Sequence, residues 1–261
     1  MNVLIMTDLE GISGVDTIEK VMDVGTAGHR FACERLMADV NAAVDGAIAG
    51  GAETVYVIDG HGSANSFIDA LLDRRAVKTP RLNDAVAAGK IQAYLQVGAH
   101  AMPGTQDGFL DHVQSSARWF EYTINGERYG EIAQGALFTG AFGIPCVMVS
   151  GDEAACDEAK RILGGQIATA SVKKGLRRNF AALVPLGEAE SHIREAARDG
   201  VSRATQMPPF TLPLPLTIRL TLMRTDYCDE VIDRRPYARR LDARTVERTV
   251  DRIESYDDLL F

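Results

Sequence analysis

Several features are scarce in this 261-residue sequence, and each scarcity excludes a class of protein. The four cysteines, Cys33, Cys146, Cys156 and Cys228, are scattered and form no Cys-x-x-Cys pair. A zinc ribbon or a thioredoxin-like redox motif is therefore absent. Reduced and mostly buried thiols in a cytoplasmic protein are the expected state of these side chains.

Long apolar runs and an excess of basic charge are also missing. The longest apolar region, residues 136–149, is interrupted by Gly140, Gly143 and Pro145 and is too short to span a membrane. The N-terminus has no basic segment before an apolar run, so we expect no cleaved signal peptide. The formal net charge of −8 argues against nucleic acid or an anionic membrane as the main partner.

What the sequence does contain is an alternation of apolar strands and amphipathic helices. The runs at residues 3–6, 54–58, 91–97, 146–149 and 167–172 predict buried strands. Helices are predicted at residues 29–49, 66–75, 131–142, 153–163 and 188–204. Strand, helix and strand in succession is typical of a right-handed βαβ unit in a parallel sheet.

The pattern changes after about residue 180. The segment from Met207 to Pro215 is rich in proline, which favours extended chain or the edge of a sheet, and residues 216–223 alternate like a half-exposed strand. We therefore predict an α/β fold: a mostly parallel sheet flanked by helices, with a smaller C-terminal α+β domain. The predicted boundaries are residues 1–180 for the catalytic α/β domain and residues 181–261 for the smaller one.

Chemically capable side chains follow three of the predicted strands. Asp8 and Glu10 leave the first strand on the same face, His61 follows the second, and His100 follows the third. Residues at the carboxyl ends of adjacent parallel strands converge on one crevice. Paired carboxylates there are costly unless a cation neutralises them, and the oxygen and nitrogen donors suit Zn²⁺, with Mn²⁺ as the alternative ion. For each residue taken alone, a solvated or capping role in a loop is the simpler interpretation.

Two further residues are not singled out by spacing. Glu131 begins the helix after an Asn125-Gly126 hairpin signal, where a carboxylate is favourable to the helix dipole. His112 fits a core or capping role equally well. No serine or cysteine lies in a recognisable nucleophile motif, since Gly62-Ser63 lacks the elbow pattern. Arg35, Asn41 and Asp59 are candidates for holding the ligands in place, although a structural role explains each of them more simply.

Several motifs in the same order resemble the DppA-type D-aminopeptidases, a family of metallopeptidases. They are Asp8-Leu9-Glu10-Gly11-Ile12-Ser13-Gly14, Asp59-Gly60-His61-Gly62, Gly98-Ala99-His100-Ala101, the run at residues 104–112, and Gly130-Glu131. The resemblance spans at least residues 3–175. It implies two zinc ions per chain, ligated by Asp8, Glu10, His61, His100 and Glu131, with Asp8 bridging both. It also implies a catalytic role for His112 and a ring-shaped homo-oligomer.

The predicted function is therefore a zinc-dependent aminopeptidase. It hydrolyses short peptides or amides with N-terminal D-amino acids through a water that bridges the metals. Two alternatives stay open. One is a binuclear metallohydrolase of another amide or of a phosphoester; the other is a peptide-binding member of the family without turnover.

Overall fold

The fold is described from a computed structural model for residues 1–62, 65–79 and 81–261. The strands are β1 (Asn2–Thr7), β2 (Thr54–Asp59), β3 (Ala76–Lys78), β4 (Ala93–Ala99), β5 (Trp119–Ile124), β6 (Glu127–Arg128), β7 (Cys146–Asp152), β8 (Ala168–Arg177), β9 (Phe180–Leu183), β10 (Leu216–Leu222), β11 (Arg239–Arg240) and β12 (Thr245–Val250). The α-helices are α1 (Glu19–Met22), α2 (Ala27–Ala49), α3 (Leu82–Ala87), α4 (Glu131–Ala141), α5 (Glu153–Leu163), α6 (Leu186–Ser202) and α7 (Thr225–Arg234). Ser63, the serine without a nucleophile elbow, lies outside the described residues.

The larger sheet confirms the predicted α/β class. Its strand order is β3-β2-β1-β4-β7-β8-β9, and every neighbouring pair is parallel except β8 and β9. β1 lies between β2 and β4, with Thr7 paired to Asp59 on one side and to Val97 on the other. The carboxyl ends of these three strands therefore lie side by side.

Helices cover both faces of this sheet. α2 and α6 pack against each other on one face, while α4 and α5 pack on the other face against β4, β7 and β8. All seven residues of β4 and all seven of β7 are buried, as expected for strands between two helical layers. Four apolar residues recur at every fourth position of α2. Leu36, Val40 and Val44 are fully buried, and Ile48 is partly buried against the same core.

A second sheet is antiparallel, in the order β11-β12-β10-β5-β6. The predicted hairpin at Asn125-Gly126 joins β5 to β6, and both residues have positive φ values, 52° and 88°. This matches the turn that an Asn-Gly pair favours. Residues 119–128 therefore belong to the second sheet, while β9 and α6 pack with the first. The domain division at residue 180 stays a prediction.

One predicted helix is wrong. Residues 66–75 contain only a 3₁₀ turn, Asp69–Leu71, because side chains elsewhere capture the backbone groups that a helix would need. Asp59 accepts hydrogen bonds from the amides of Ser66 and Phe67, and Asn41 bonds the Leu71 carbonyl and the Asp73 amide. No helix in the described part of the chain combines the length and apolar character that crossing a bilayer requires.

Candidate metal centre

Two loops come unusually close together at the carboxyl edge of the larger sheet. The Asp8 amide donates to the Val97 carbonyl and the Gly11 amide to the Gly98 carbonyl, both at 2.8 Å. A Cβ atom on Gly11 would lie 2.1 Å from the Ala99 oxygen, and one on Gly98 would lie 2.1 Å from the Asp8 oxygen. Only glycine at both positions allows this approach, which brings the Asp8 loop beside the loop that carries His100.

The structure brings together all six side chains predicted at the site. We call Asp8, Glu10, His61, His100, His112 and Glu131 the acid–histidine cluster. Four of them follow strands: Asp8 and Glu10 come after β1, His61 after β2 and His100 after β4. Glu131 is the first residue of α4, and His112 comes from the loop between β4 and β5. Their roles as ligands or catalysts stay predictions.

The two oxygens of Asp8 face two different sets of partners. His61 Nδ1 lies 2.8 Å from Asp8 Oδ1 and 3.0 Å from Glu10 Oε2. His100 Nε2 lies 3.3 Å from Asp8 Oδ2 and 3.5 Å from Glu131 Oε1. We call Asp8 Oδ1, Glu10 Oε2 and His61 Nδ1 the His61 group, and Asp8 Oδ2, His100 Nε2 and Glu131 Oε1 the His100 group.

The buried polar atoms of the cluster fit a bound cation. Among the described residues, Glu10 Oε2 and His100 Nε2 are fully buried, and neither has a partner in good hydrogen-bond geometry. The opposite nitrogen, His100 Nδ1, lies 3.1 Å from the Ala101 carbonyl, to which it can donate. With Nδ1 donating there, Nε2 is the nitrogen that can offer a lone pair to a cation held between Asp8 and Glu131, which is the usual orientation of a histidine that ligates a metal. The donor set of imidazole nitrogens and carboxylate oxygens suits zinc.

The charges of the cluster are strongly coupled. Burial alone would lower the pKa of His61, but the neighbouring carboxylates of Asp8 and Glu10 outweigh it and raise that pKa to about 11. Burial opposes the charged form of His100 as well, yet Glu131 and Asp8 hold its pKa well above the usual range. Burial raises the pKa of Asp8, and the two imidazoles more than reverse this and lower it. Protons therefore occupy the positions that metal ions would compete for.

His112 is oriented by its own backbone segment. Its Nδ1 lies 2.8 Å from the Leu110 carbonyl and its ring stacks on that of His100, with centroids 3.9 Å apart. Donation from Nδ1 leaves Nε2 free to accept a proton, and Nε2 lies 3.9 Å from Glu131 Oε1. Leu110 adopts a left-handed φ of 51°, a costly conformation of the kind that persists at functional sites.

Gln114 contributes to the site although no sequence pattern indicates it. Its backbone amide donates to Glu131 Oε1 at 2.6 Å, and its backbone adopts a left-handed φ of 56°. Its side-chain amide lies 2.9 Å from Gln134 Oε1 and 3.2 Å from the Tyr256 hydroxyl. Because these contacts join residues far apart in the chain, no local pattern could have revealed them.

The three candidate supporting residues have different roles. Asp59 accepts the His61 amide at 3.3 Å and the Ser66 amide at 2.6 Å, so it organises the loop that carries His61. Arg35 pairs with Glu190 and donates to Ser13, three residues after Glu10. The side-chain bonds of Asn41 hold the 71–73 segment rather than the cluster.

Five members of the cluster line an open cavity of about 580 Å³: Asp8, Glu10, His61, His112 and Glu131. The lining also includes the apolar side chains of Val21, Met22 and Val24 and the small residues at 115–117. The volume falls in the range of small-molecule sites and accommodates a short peptide.

Comparison with known proteins gives a consistent family and fold. The chain matches the peptidase M55 family profile, described as D-aminopeptidase, over residues 1–260. It is 24% identical to a D-aminopeptidase of Bacillus subtilis (strain 168) over 219 residues, which cover 82% of this chain and 78% of that protein. A solved structure, described as the Zn-dependent D-aminopeptidase DppA from Bacillus subtilis, a self-compartmentalizing protease, superimposes with a TM-score of 0.89 at 20% identity. That match covers 99% of this chain and 95% of the other.

Proposed function

This chain belongs to the peptidase M55 family of D-aminopeptidases, and we propose that it releases N-terminal D-residues from short peptides or amides with two zinc ions held by the acid–histidine cluster. The enzyme is thus a metallo-aminopeptidase. The observation that carries the two-ion proposal is the position of the Asp8 carboxylate, whose two oxygens face two different sets of donors. One ion is assigned to the His61 group and one to the His100 group.

Zinc ions bound there would polarise the scissile carbonyl and lower the pKa of a water molecule toward neutrality. The chain itself supplies the remaining functions. Three carboxylates offset much of the charge of two dications in a partly buried site. His112 Nε2, held by donation from Nδ1 to the Leu110 carbonyl, is placed to take a proton or to give one to the departing amine. The cavity orients the peptide above these groups.

Assembly and location complete the proposal. The related DppA structure is described as self-compartmentalizing. We propose a ring-shaped homo-oligomer for this chain as well, which light scattering combined with size-exclusion chromatography would detect. A cytoplasmic location is supported by the four cysteines, all of which are free and buried.

The test is one sample assayed for metal and for activity. Protein purified without added metal is analysed for zinc, and hydrolysis of D-alanyl amide, L-alanyl amide and a phosphate ester is measured before and after dialysis against a chelator. We expect close to two zinc ions per chain, preference for the D-alanyl amide, and loss of activity that returns with zinc. Full activity in metal-free protein would overturn the proposal, and preference for the ester would redirect it to a phosphoesterase.

A further inference from the structure

A buried lysine lies behind the cluster without a carboxylate partner. Lys173 on β8 is 1% exposed, and among the described residues no carboxylate oxygen lies within 4 Å of its Nζ. Its Nζ instead lies 2.6 Å from the Glu10 carbonyl and 2.6 Å from the Val15 carbonyl. Burying a lysine is costly, so the contacts that it makes there need an explanation.

The contacts of Lys173 fix the main chain at Glu10. An amine has two N–H donors and an ammonium three, so either form can serve both carbonyls. On the other side of the same peptide unit, the Gly11 amide donates to the Gly98 carbonyl at 2.8 Å. The peptide bond between Glu10 and Gly11 is therefore held at both its oxygen and its nitrogen, and this fixes the direction in which the Glu10 side chain leaves the loop.

Asp8 is anchored without help from Lys173. Its amide donates to the Val97 carbonyl, which extends the pairing of β1 with β4. Removal of the Lys173 amine would therefore loosen Glu10 and leave Asp8 in place. Among the cluster contacts of 3.5 Å or less, Glu10 takes part in the His61 group and not in the His100 group. We therefore expect a loosened Glu10 to act on one of the two proposed ions.

We propose that Lys173 is a positioning residue that holds the Glu10 carbonyl and thereby sets the affinity of the His61 group for its metal ion. The inference rests on the proposed metal centre. A lysine that only supported the fold would, on removal, lower stability and weaken both ions alike. A lysine that positions Glu10 weakens one ion and spares the other.

The test compares two neighbouring lysines of one strand. Lys173→Met keeps most of the side-chain volume and removes the amine. The matched control is Lys174→Met, since the Lys174 side chain is exposed and pairs with Glu153 at 3.3 Å, away from the cluster. The affinity of the protein for each zinc ion is measured on chelator-treated full-length chain by titration against a competing chelator. The absorption spectrum of the Co²⁺-substituted protein reports the geometry at each ion.

We expect wild type and Lys174→Met to bind two ions alike. In Lys173→Met one ion should bind about 10- to 100-fold more weakly, as is typical when a residue supporting a ligand is lost. The Co²⁺ spectrum of the first equivalent should stay unchanged and that of the second should change. If Lys173→Met is not recovered folded, Lys173→Gln, which keeps an N–H donor on a shorter side chain, takes its place beside Lys174→Gln.

Three results would distinguish a failure of the Lys173 inference from a failure of the proposed metal centre. Two ions bound by Lys173→Met with wild-type affinity and spectrum would overturn this inference and leave the proposed function intact. Equal weakening of both ions, with a lower melting temperature of the metal-free protein, would also overturn it, because Lys173 would then act through the fold. Absence of zinc binding by the wild-type protein would overturn the proposed metal centre itself.

Discussion

The negative charges of two acidic sites in this molecule are neutralised by different partners: arginines at one site and histidines at the other. Glu247 on β12 lies between two arginines, 2.7 Å from Arg219 Nε and 2.6 Å from Arg239 Nη2, and the charges of its own chain neutralise it. The carboxylates of the acid–histidine cluster have no lysine or arginine within 4 Å among the described residues; histidines are their basic partners.

The difference shows why one site can be structural and the other functional. Arg239 and Arg219 lower the pKa of Glu247, so it stays charged and paired without any ligand. In the acid–histidine cluster, protons on His61 and His100 balance the acids, and protons can be exchanged for metal ions. This exchange is the basis of the proposed metal centre.

The largest effect is expected from replacing Asp8, the residue that the His61 group and the His100 group have in common. Asp8→Ala removes a donor from both the His61 group and the His100 group, so we expect loss of both zinc ions and a more than about thousandfold fall in kcat/KM. Glu10→Ala removes a donor from the His61 group alone and should retain one ion. Metal analysis of the two variants side by side checks this. Retention of both ions by Asp8→Ala would show that Asp8 is not a ligand that the two ions share.

His112→Ala should separate chemistry from metal binding. His112 belongs to neither group, so zinc content should stay at the wild-type level while kcat falls by about 100- to 10,000-fold, the usual contribution of a general acid or base. The matched control is His192→Ala on α6, where the histidine is exposed and pairs weakly with Glu188 at 3.8 Å. Wild-type turnover in His112→Ala would remove the catalytic role from this residue.

A third acidic site sharpens the comparison because, among the described residues, its carboxylate has no lysine, arginine or histidine partner within 4 Å. Glu158 on α5 is buried, accepts one hydrogen bond from the Met102 amide, and has its other oxygen unpartnered among the described residues. Burial raises its pKa to about 7. The folded protein therefore binds a proton here that the unfolded chain releases above about pH 4.5, so stability is full below that pH and declines as the pH rises toward 7.

Glu158→Gln should remove this decline. The amide keeps an acceptor for the Met102 N–H and carries no charge, so the variant should gain up to about 3 kcal/mol over wild type at about pH 8 and little at about pH 4.5. Urea unfolding at the two pH values measures the gain. Glu153→Gln, which makes the same substitution at an exposed position of the same helix, is the control. If Glu158→Gln were less stable than wild type at the higher pH, the predicted direction of the change in the free energy of unfolding would be contradicted.

The smallest effect is expected at the arginine-paired acid. Glu247→Gln should cost about 1 kcal/mol because both arginines are more than half exposed, and the loss should shrink in high salt. Zinc content and kcat should not change. Thermal unfolding at low and high ionic strength checks the first point. A change in metal content would mean that the two acidic sites are linked.

The parts of this molecule that depend on local patterns could be predicted from the sequence. Apolar runs and the periodicity of α2 located the central strands and their crossover helix, and the parallel sheet then placed Asp8, His61 and His100 at one edge. Asn125-Gly126 located the hairpin because that turn requires two residues with positive φ. The role of His112 could come only from the family resemblance, since its position depends on a loop with no regular pattern.

What could not be predicted depends on contacts between distant segments. The helix predicted at residues 66–75 fails because Asp59 and Asn41, both outside it, capture its backbone groups. Gln114 and Lys173 support the cluster through a left-handed backbone and a bond across 163 residues. The left-handed state of a glutamine and the burial of a lysine both run against the usual preferences of these residues, so tertiary structure overrode them.

The most direct measurement is anomalous X-ray scattering at the zinc edge from crystals grown with zinc. We predict two peaks in each chain, one beside Asp8 Oδ1 with Glu10 and His61, and one beside Asp8 Oδ2 with His100 and Glu131. A single peak, or two peaks of which one lies away from Asp8, would contradict the assignment of this carboxylate as the ligand that both ions share.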